Sequence, residues 1–188
     1  FSLIGITLGV ATLIVVMSVM NGFRAELVNR ILGINGHLIV YKKNEPLISN
    51  YNEIVSQIMD VKNVVAVTPH LEGQALAKTK NGVTGVVIRG TNWSDLAPKK
   101  LLWDSLDDDT FDNFKNKKNI IIGYRLGQRL NIKVGDFISI ISPSGTQTAL
   151  GTLPLSQNFI VGGFFNIGMY EYDNNFIFIP WDKAESFF

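Results

Sequence analysis

The chain has 188 residues, no cysteine, and 17 Lys plus Arg against 16 Asp plus Glu, a formal net charge of +1. That balance, with no lysine or arginine stripe, offers no electrostatic footprint for nucleic acid, and the lack of cysteine excludes disulfides and thiol or thiolate-metal chemistry. The length suits one domain of ordinary size or two small intertwined ones, and the positive mean hydropathy has a local cause.

That cause is the start of the chain. Residues 1–23 contain no Asp, Glu, Lys or Arg and are mostly Leu, Ile, Val, Met, Ala and Gly. A helix rising about 1.5 Å per residue over this length covers the ~30 Å hydrocarbon core of a bilayer. Ser2, Thr7, Thr12 and Ser18 are able to bond back to their own helix carbonyls, so they do not oppose insertion. Gly5 and Gly9 form a small-xxx-small pair that admits a neighbouring helix. A cleavable signal peptide fits poorly, because the run is long and Met-Asn-Gly-Phe-Arg is a weak cleavage site. A core helix of a soluble protein would carry polar residues on one face. Without an initiator Met or a basic flank, the expectation is a fragment whose orientation flanking charge does not reveal. Past Asn21-Gly22 the helix is expected to continue amphipathically, with Phe23, Leu27, Ile31 and Leu32 at helical spacing and Arg24, Glu26, Asn29 and Arg30 elsewhere. Gly33 is the expected stop.

Residues 37–41 (His-Leu-Ile-Val-Tyr) read as a strand. Asn50 with Glu53 resembles a capping box ahead of a helix carrying Tyr51, Ile54, Val55, Ile58 and Val61, and Val64 to Thr68 reads as a second strand. Leu76–Lys80, Asn81-Gly82 and Val83–Ile88 form a hairpin signal with a type I′ turn. Residues 90–118 look looser and include Trp93, Pro98, Trp103 and the acidic run Asp107-Asp108-Asp109. A short strand at 119–122 precedes a brief helix at 123–130. Val134-Gly135-Asp136 turns into a strand at 137–142, the polar stretch 143–156 follows, and 159–165 returns as a strand. Residues 176–179 form a last strand, with Asp182 capping a final helix. Strands dominate and helices do not alternate with them, so the fold class is α+β with a mixed or antiparallel sheet.

Chemistry is sparse. His37 and His70 are the two histidines, and neither has a second ligand at metal spacing. Asp107–Asp109 lacks the alternating ligands and later Glu of a calcium loop and reads as a solvated acidic turn. Gly162-Gly163 sits in a strand context, not in a phosphate loop. Lys115, Lys117 and Lys118 read as a solvated face, and no nucleophile arrangement is present. The stretch 143–156 is the informative oddity: it is long for a hairpin connection and carries Leu150, Leu153 and Leu155 among polar residues. Composition leaves open whether it is a binding protrusion or an unstructured loop.

Two motifs carry a resemblance. Ile4-Gly-Ile-Thr-Leu-Gly-Val-Ala-Thr-Leu, continued by Met17-Ser-Val-Met-Asn-Gly-Phe-Arg-Ala-Glu-Leu and Ile31-Leu-Gly, closely resembles the first span of the LolC/LolE permease family. That family belongs to the lipoprotein-releasing ABC transporter, within the MacB/FtsX-like group. Ile122-Gly-Tyr-Arg-Leu-Gly-Gln-Arg-Leu-Asn-Ile-Lys-Val-Gly-Asp-Phe-Ile-Ser is similar to the periplasmic core domain of the wider group. The resemblance covers essentially the whole chain.

The resemblance implies a membrane span at 1–23, the first of four, and a helical extension at 24–36. It implies an α/β periplasmic subdomain at 37–88 and 166–188, C-terminally incomplete, and an inserted β-rich subdomain at 89–165 with a hook loop at 143–156. It implies a bacterial inner-membrane protein with its soluble domain in the periplasm, no cofactor and no catalysis of its own. The implied partners are a separate ATPase subunit, LolD, a second LolC/LolE-type permease (identical or not), the periplasmic carrier LolA, lipoprotein cargo and membrane lipid. The hook, a protruding hairpin that captures the carrier, corresponds to Pro143, Thr146, Gln147, Thr148, Ala149, Leu150, Gly151, Thr152, Leu153 and Pro154, with Leu150 near its tip. This loop is one residue shorter than the family pattern, and Asn158 stands where a basic residue is expected. Val16, Val19, Met20 and Phe23 are the implied acyl-chain contacts, Met suiting a site that accepts varied chains; the bland alternative is that they face bilayer or neighbouring helices. Two rival functions are a MacB-like efflux permease and an FtsX-like regulator of a cell-wall hydrolase.

Overall fold

The computed structural model describes residues 1–43, 47–117, 119–148, 151–185 and 187, with the backbone alone at 103, 143–148, 151 and 152. The chain divides into two compact units, 1–39 and 40–188.

The first unit is one helix, α1 (Ser2–Ile34). It runs through the expected boundary at 23/24 and one residue past Gly33, ending where Asn35 turns extended and donates its N–H to Ile31 O. Thr7 and Thr12 donate their hydroxyls to Leu3 O and Leu8 O at 2.8 Å, as their spacing predicts. Arg30 Nε reaches Glu26 Oε1 at 2.6 Å, one turn away on the amphipathic part.

The second unit is built on a closed sheet of six strands: β1 (Leu71–Thr79), β2 (Gly82–Thr91), β3 (Ile120–Gly123), β4 (Phe137–Thr148), β5 (Gly151–Phe165) and β6 (Phe176–Pro180). Their order is β1-β2-β6-β3-β5-β4, with β4 pairing back onto β1. The β2–β6 and β3–β5 pairs are parallel and the others antiparallel, so the expected mixed sheet is present. Every other residue points into the barrel: Ala75 and Ala77, Val86 and Ile88, Ile120 and Ile122, Ile138 and Ile140, Phe159 and Val161, Ile177 and Ile179 are all buried there. Strands β3 and β6 read Ile-Ile-Ile-Gly and Phe-Ile-Phe-Ile-Pro, apolar on both faces, because their outer faces are also covered. Ile121, Phe165 and Phe178 are buried, as are Phe111 and Phe114 of the helix α5 (Asp108–Lys115), which packs on β3, β5 and β6.

Several local readings change. Residues 37–41 and 64–68 lie outside the sheet; a β-prone run becomes a strand only where another backbone pairs with it. The hairpin turn sits one residue early, at Lys80-Asn81, because Thr79 pairs with Gly82. Asn81 instead donates its side-chain amide to Leu130 O at 2.9 Å, closing the C-terminus of α6 (Tyr124–Leu130). Asn50 precedes the helix α2 (Tyr51–Met59) but forms no side-chain cap. The region 90–118 holds three short helices, α3 (Trp93–Leu96), α4 (Lys100–Trp103) and α5. The acidic run starts α5: Asp107 Oδ1 accepts from Thr110 N at 2.9 Å, and Asp108 and Asp109 occupy the first turn, where carboxylates favour the helix dipole. A helix α7 (Tyr170–Asn175) was not legible in the pattern, and α8 (Trp181–Glu185) begins ahead of Asp182, which pairs with Lys117 instead of capping. Lys118 lies outside the described residues. The expected subdomain boundary at 88/89 falls inside β2, and strands from both proposed subdomains share the one sheet.

Asp173 is the one buried carboxylate with an unfilled oxygen among the described residues: Oδ1 accepts from Ile167 N at 2.9 Å, while Oδ2 has no partner. Burial lifts its carboxyl above the ordinary 3.8, opposed by the backbone amides of Ile167, Gly168 and Met169 and by Arg125. A carboxyl raised in the folded state contributes stability that is fully present below its unfolded value and lost as pH rises through the folded one. Asp173→Asn keeps an acceptor for Ile167 and removes the charge, so its unfolding midpoint is expected above wild type at neutral pH and equal to it near pH ~4. Asp173→Ala strands the Ile167 amide and is expected to lose about 1–3 kcal/mol at either pH. Denaturant unfolding at the two pH values checks both.

Candidate functional site

No cluster of three or more His, Asp or Glu capable of holding a metal occurs among the described residues. The shifted titratable groups belong to structural pairs or to burial. His70 and Lys99 are pushed down chiefly by desolvation, then by the charge of Arg89. Asp95 is pushed up by desolvation. Arg89 is nearly buried, donates to Glu72 Oε2 from Nε at 2.8 Å and Nη2 at 2.5 Å, and lies over the Phe176 ring at 5.1 Å. Since Glu72 is its directly opposed neighbour in the β1–β2 register, the pair is a cross-strand ion pair.

Two features of the surface remain. The first is the apolar surface of α1. Val16, Val19, Met20 and Phe23 fall at i, i+3, i+4 and i+7, so they form one stripe, and each is more than half exposed. A β-carbon added at Gly5 or Gly9 would meet nothing, so the small-residue face is open as well. Among the described residues α1 is the one helix long and apolar enough to cross a membrane.

The second is the β4–β5 hairpin. The polar stretch expected to be a loop is strand: after a register shift between Ser142 and Thr146, pairing resumes with Thr146 against Leu153, Gln147 against Thr152 and Thr148 against Gly151. Ala149 and Leu150, the latter expected near the tip, lie outside the described residues. Strand β1 pairs with β4 only at Ser139–Ile141, and β3 meets β5 only from Val161 onward, so the hairpin runs beyond its barrel neighbours. Leu153 is 64% exposed, and Pro154, Leu155 and Ser156 are exposed too. The side chains of Pro143, Thr146, Gln147, Thr148, Gly151 and Thr152 fall outside what the structure describes. Composition alone left these arms undecided because Pro143, Gly145 and Pro154 punctuate them, while the family resemblance implied a protruding hairpin; the alternation from Leu153 to Val161 was the available signal.

A family profile described as the MacB-like periplasmic core domain matches residues 1–188. The chain is 32% identical over 176 residues to the lipoprotein-releasing system transmembrane protein LolC of Neisseria meningitidis, covering 93% of this chain and 42% of that protein. It is 28% identical over 144 residues to the corresponding LolE of Haemophilus influenzae, covering 75% of this chain and 35% of that protein. Among solved structures, the extracellular domain of the noncanonic ABC-type transporter YknZ from Gram-positive bacteria aligns at a TM-score of 0.45 and 16% identity, over 71% of this chain and 64% of that one. The chain spans less than half the length of these curated relatives. An apolar helix of spanning length followed by an α+β domain, matched by the profile from end to end, places the chain in the MacB-like periplasmic core domain family, with LolC and LolE proteins among its relatives.

Proposed function

We propose that the chain is the first span and adjoining soluble domain of a permease subunit in an ABC transporter that extracts lipoproteins from the inner membrane and passes them to the periplasmic carrier LolA. Its kinship with lipoprotein-releasing transmembrane proteins across 93% of the chain carries this reading. In it the soluble domain is periplasmic, ATP is hydrolysed by a separate subunit, LolD, and a second LolC/LolE-type permease completes the assembly.

The physical task is moving acyl chains out of lipid, at about 0.8 kcal/mol per CH₂ exposed to water. The stripe Val16, Val19, Met20 and Phe23 offers an apolar surface against which such chains remain covered. A photo-crosslinker at Met20 is expected to label lipoprotein in membranes; labelling of neighbouring helices alone would remove this contact from the proposal.

The hairpin is the carrier's dock. Deleting 146–153 from the full-length protein is expected to abolish capture of purified LolA by the reconstituted transporter while leaving its assembly and ATPase activity in place. Undiminished capture would turn the reading toward an efflux permease or a hydrolase regulator, which have no use for such a dock.

A further inference from the structure

The end of the barrel opposite the β4–β5 hairpin carries a basic rim around exposed apolar side chains. Hydrogen bonds bring its pieces together. Asn81, in the β1–β2 turn, donates its side-chain amide to Leu130 O at 2.9 Å and to Asn131 O at 3.4 Å. Arg129 Nη2 reaches from α6 to Thr84 Oγ1 of β2 at 2.8 Å. The connection from α6 to β4 is tied down as well: Lys133 N donates to Asp136 Oδ2 at 2.8 Å, and Gly135 N donates to Val161 O at 2.8 Å. The turn, the end of α6 and the start of β4 are therefore neighbours.

Strand parity decides which side chains face out. Ala77, Val86, Ile138 and Ile140 fill the core, so Lys78, Val83, Phe137 and Ser139 point outward. Lys78 stands opposite Val83 on one side and Ser139 on the other, and two steps further the same register brings Lys80 level with Phe137. Phe137 is 69% exposed, Val134 57% and Val83 55%. Lys78, Lys80, Arg129 and Lys133 are exposed around them, and none makes an ion pair among the described residues. Segments 76–84 and 129–139 hold these four cations and one carboxylate, Asp136, which already accepts from Lys133 N.

Cations alone suit any acidic surface, and apolar side chains alone suit any apolar one. A surface with negative charge directly above hydrocarbon takes both, because lysines meet the phosphates while apolar side chains enter the boundary beneath. An apolar helix of membrane-spanning length precedes this unit in the chain, and tethering raises the effective concentration of bilayer at the barrel. We propose that this end of the barrel docks on anionic lipid headgroups, with Lys78, Lys80, Arg129 and Lys133 against the phosphates and Val83, Val134 and Phe137 in the boundary beneath. Strand β4 starts at this end and runs into the hairpin at the other, so docking sends the hairpin away from the lipid, free for a soluble partner. The proposal rests on α1 lying in a bilayer and is independent of what the hairpin binds.

The test places the full-length protein, made cysteine-free beyond these residues, in nanodiscs of phosphatidylcholine alone or with about one-third phosphatidylglycerol. The 188 residues hold no cysteine, so Val134→Cys carries a single polarity-sensitive dye. Val65→Cys, at a position 91% exposed and outside the rim, carries it as a control. Spin-labelled lipid is expected to quench the dye at 134 at least fivefold more in anionic than in neutral discs, and about 0.5 M salt is expected to remove the difference. The dye at 65 is expected to stay unquenched in both. Lys78→Gln, Lys80→Gln and Lys133→Gln together are expected to lower the docking equilibrium on the order of a hundredfold. Lys62→Gln, Lys100→Gln and Lys115→Gln, the same charge change elsewhere, are expected to leave it as in wild type. Equal quenching at 134 in both discs, or quenching that survives the first triple substitution, overturns the proposal. An unquenched dye at 134 in anionic discs that retain the protein does so too, and assigns the rim to an acidic protein surface instead. If the protein does not enter the discs at all, the membrane reading falls with it.

Discussion

Arginine in place of Leu13 is expected to abolish stable membrane insertion of the full-length protein's first helix. Helix α1 has 33 residues, roughly 50 Å at 1.5 Å per residue, and only about 20 of them fit within a ~30 Å hydrocarbon core. The uncharged run ends at Phe23, ahead of Arg24, so Leu13 lies near the middle of the segment that meets lipid tails. A charge there costs about 2.5–3.5 kcal/mol on insertion scales, on the order of a hundredfold shift away from the inserted state. Neither terminus of the run is near enough for the side chain to reach the interface easily. Leu13→Ala, by contrast, keeps the segment apolar and is expected to insert normally. Carbonate extraction of residues 1–34 of each variant fused to a soluble reporter, so that no other segment anchors it, reads the difference; if the arginine form stays in the pellet like wild type, the segment does not lie across the bilayer.

Gly123→Ala is expected to be strongly damaging in the second unit, lowering stability by about 3 kcal/mol or more. Gly123 joins β3 to α6, and a β-carbon there would overlap the backbone O, C and Cα of Asp173. Its φ of −62° is ordinary, so the requirement is close approach and not a special dihedral. The obstruction is main chain at the start of β6's approach, held by the Asp173–Ile167 bond, and has no rotamer through which to yield. Gly127→Ala meets the ring of Phe164 instead, a half-buried side chain that is able to turn, and is expected to cost less. Gly85→Ala meets nothing and is expected to change stability by under ~0.5 kcal/mol. Pulse proteolysis in urea ranks the three; near-wild-type behaviour of Gly123→Ala would mean the β3–α7 approach is looser than the structure has it.

Legibility in the sequence followed the range of the interactions. The span was legible because insertion depends on the composition of one continuous segment, and 23 uncharged residues suffice for it. Strands β3 and β6 and helix α6 were legible from apolar runs and spacing. The cap by Asp107 was not, although Asp107 and Thr110 stand three residues apart, because an acidic triplet also suits a solvated turn. The strand expected at 37–41 has the right residues and no partner in the sheet, and β-propensity measures fit to neighbours more than any intrinsic preference. The hairpin arms were obscured by prolines whose compatibility depends on which way each missing N–H faces.

By itself, then, the sequence determined an apolar helix of membrane-spanning length and an α+β class, since period and composition are properties of adjacent residues. Only the tertiary structure decided the parallel pairing of β2 with β6 and of β3 with β5, the closure of β4 onto β1, and the continuation of β4 and β5 past their neighbours. Those depend on backbone groups meeting across tens of residues, and because successive residues face opposite ways, a shift of one position reverses which amides meet a partner and which are left for one.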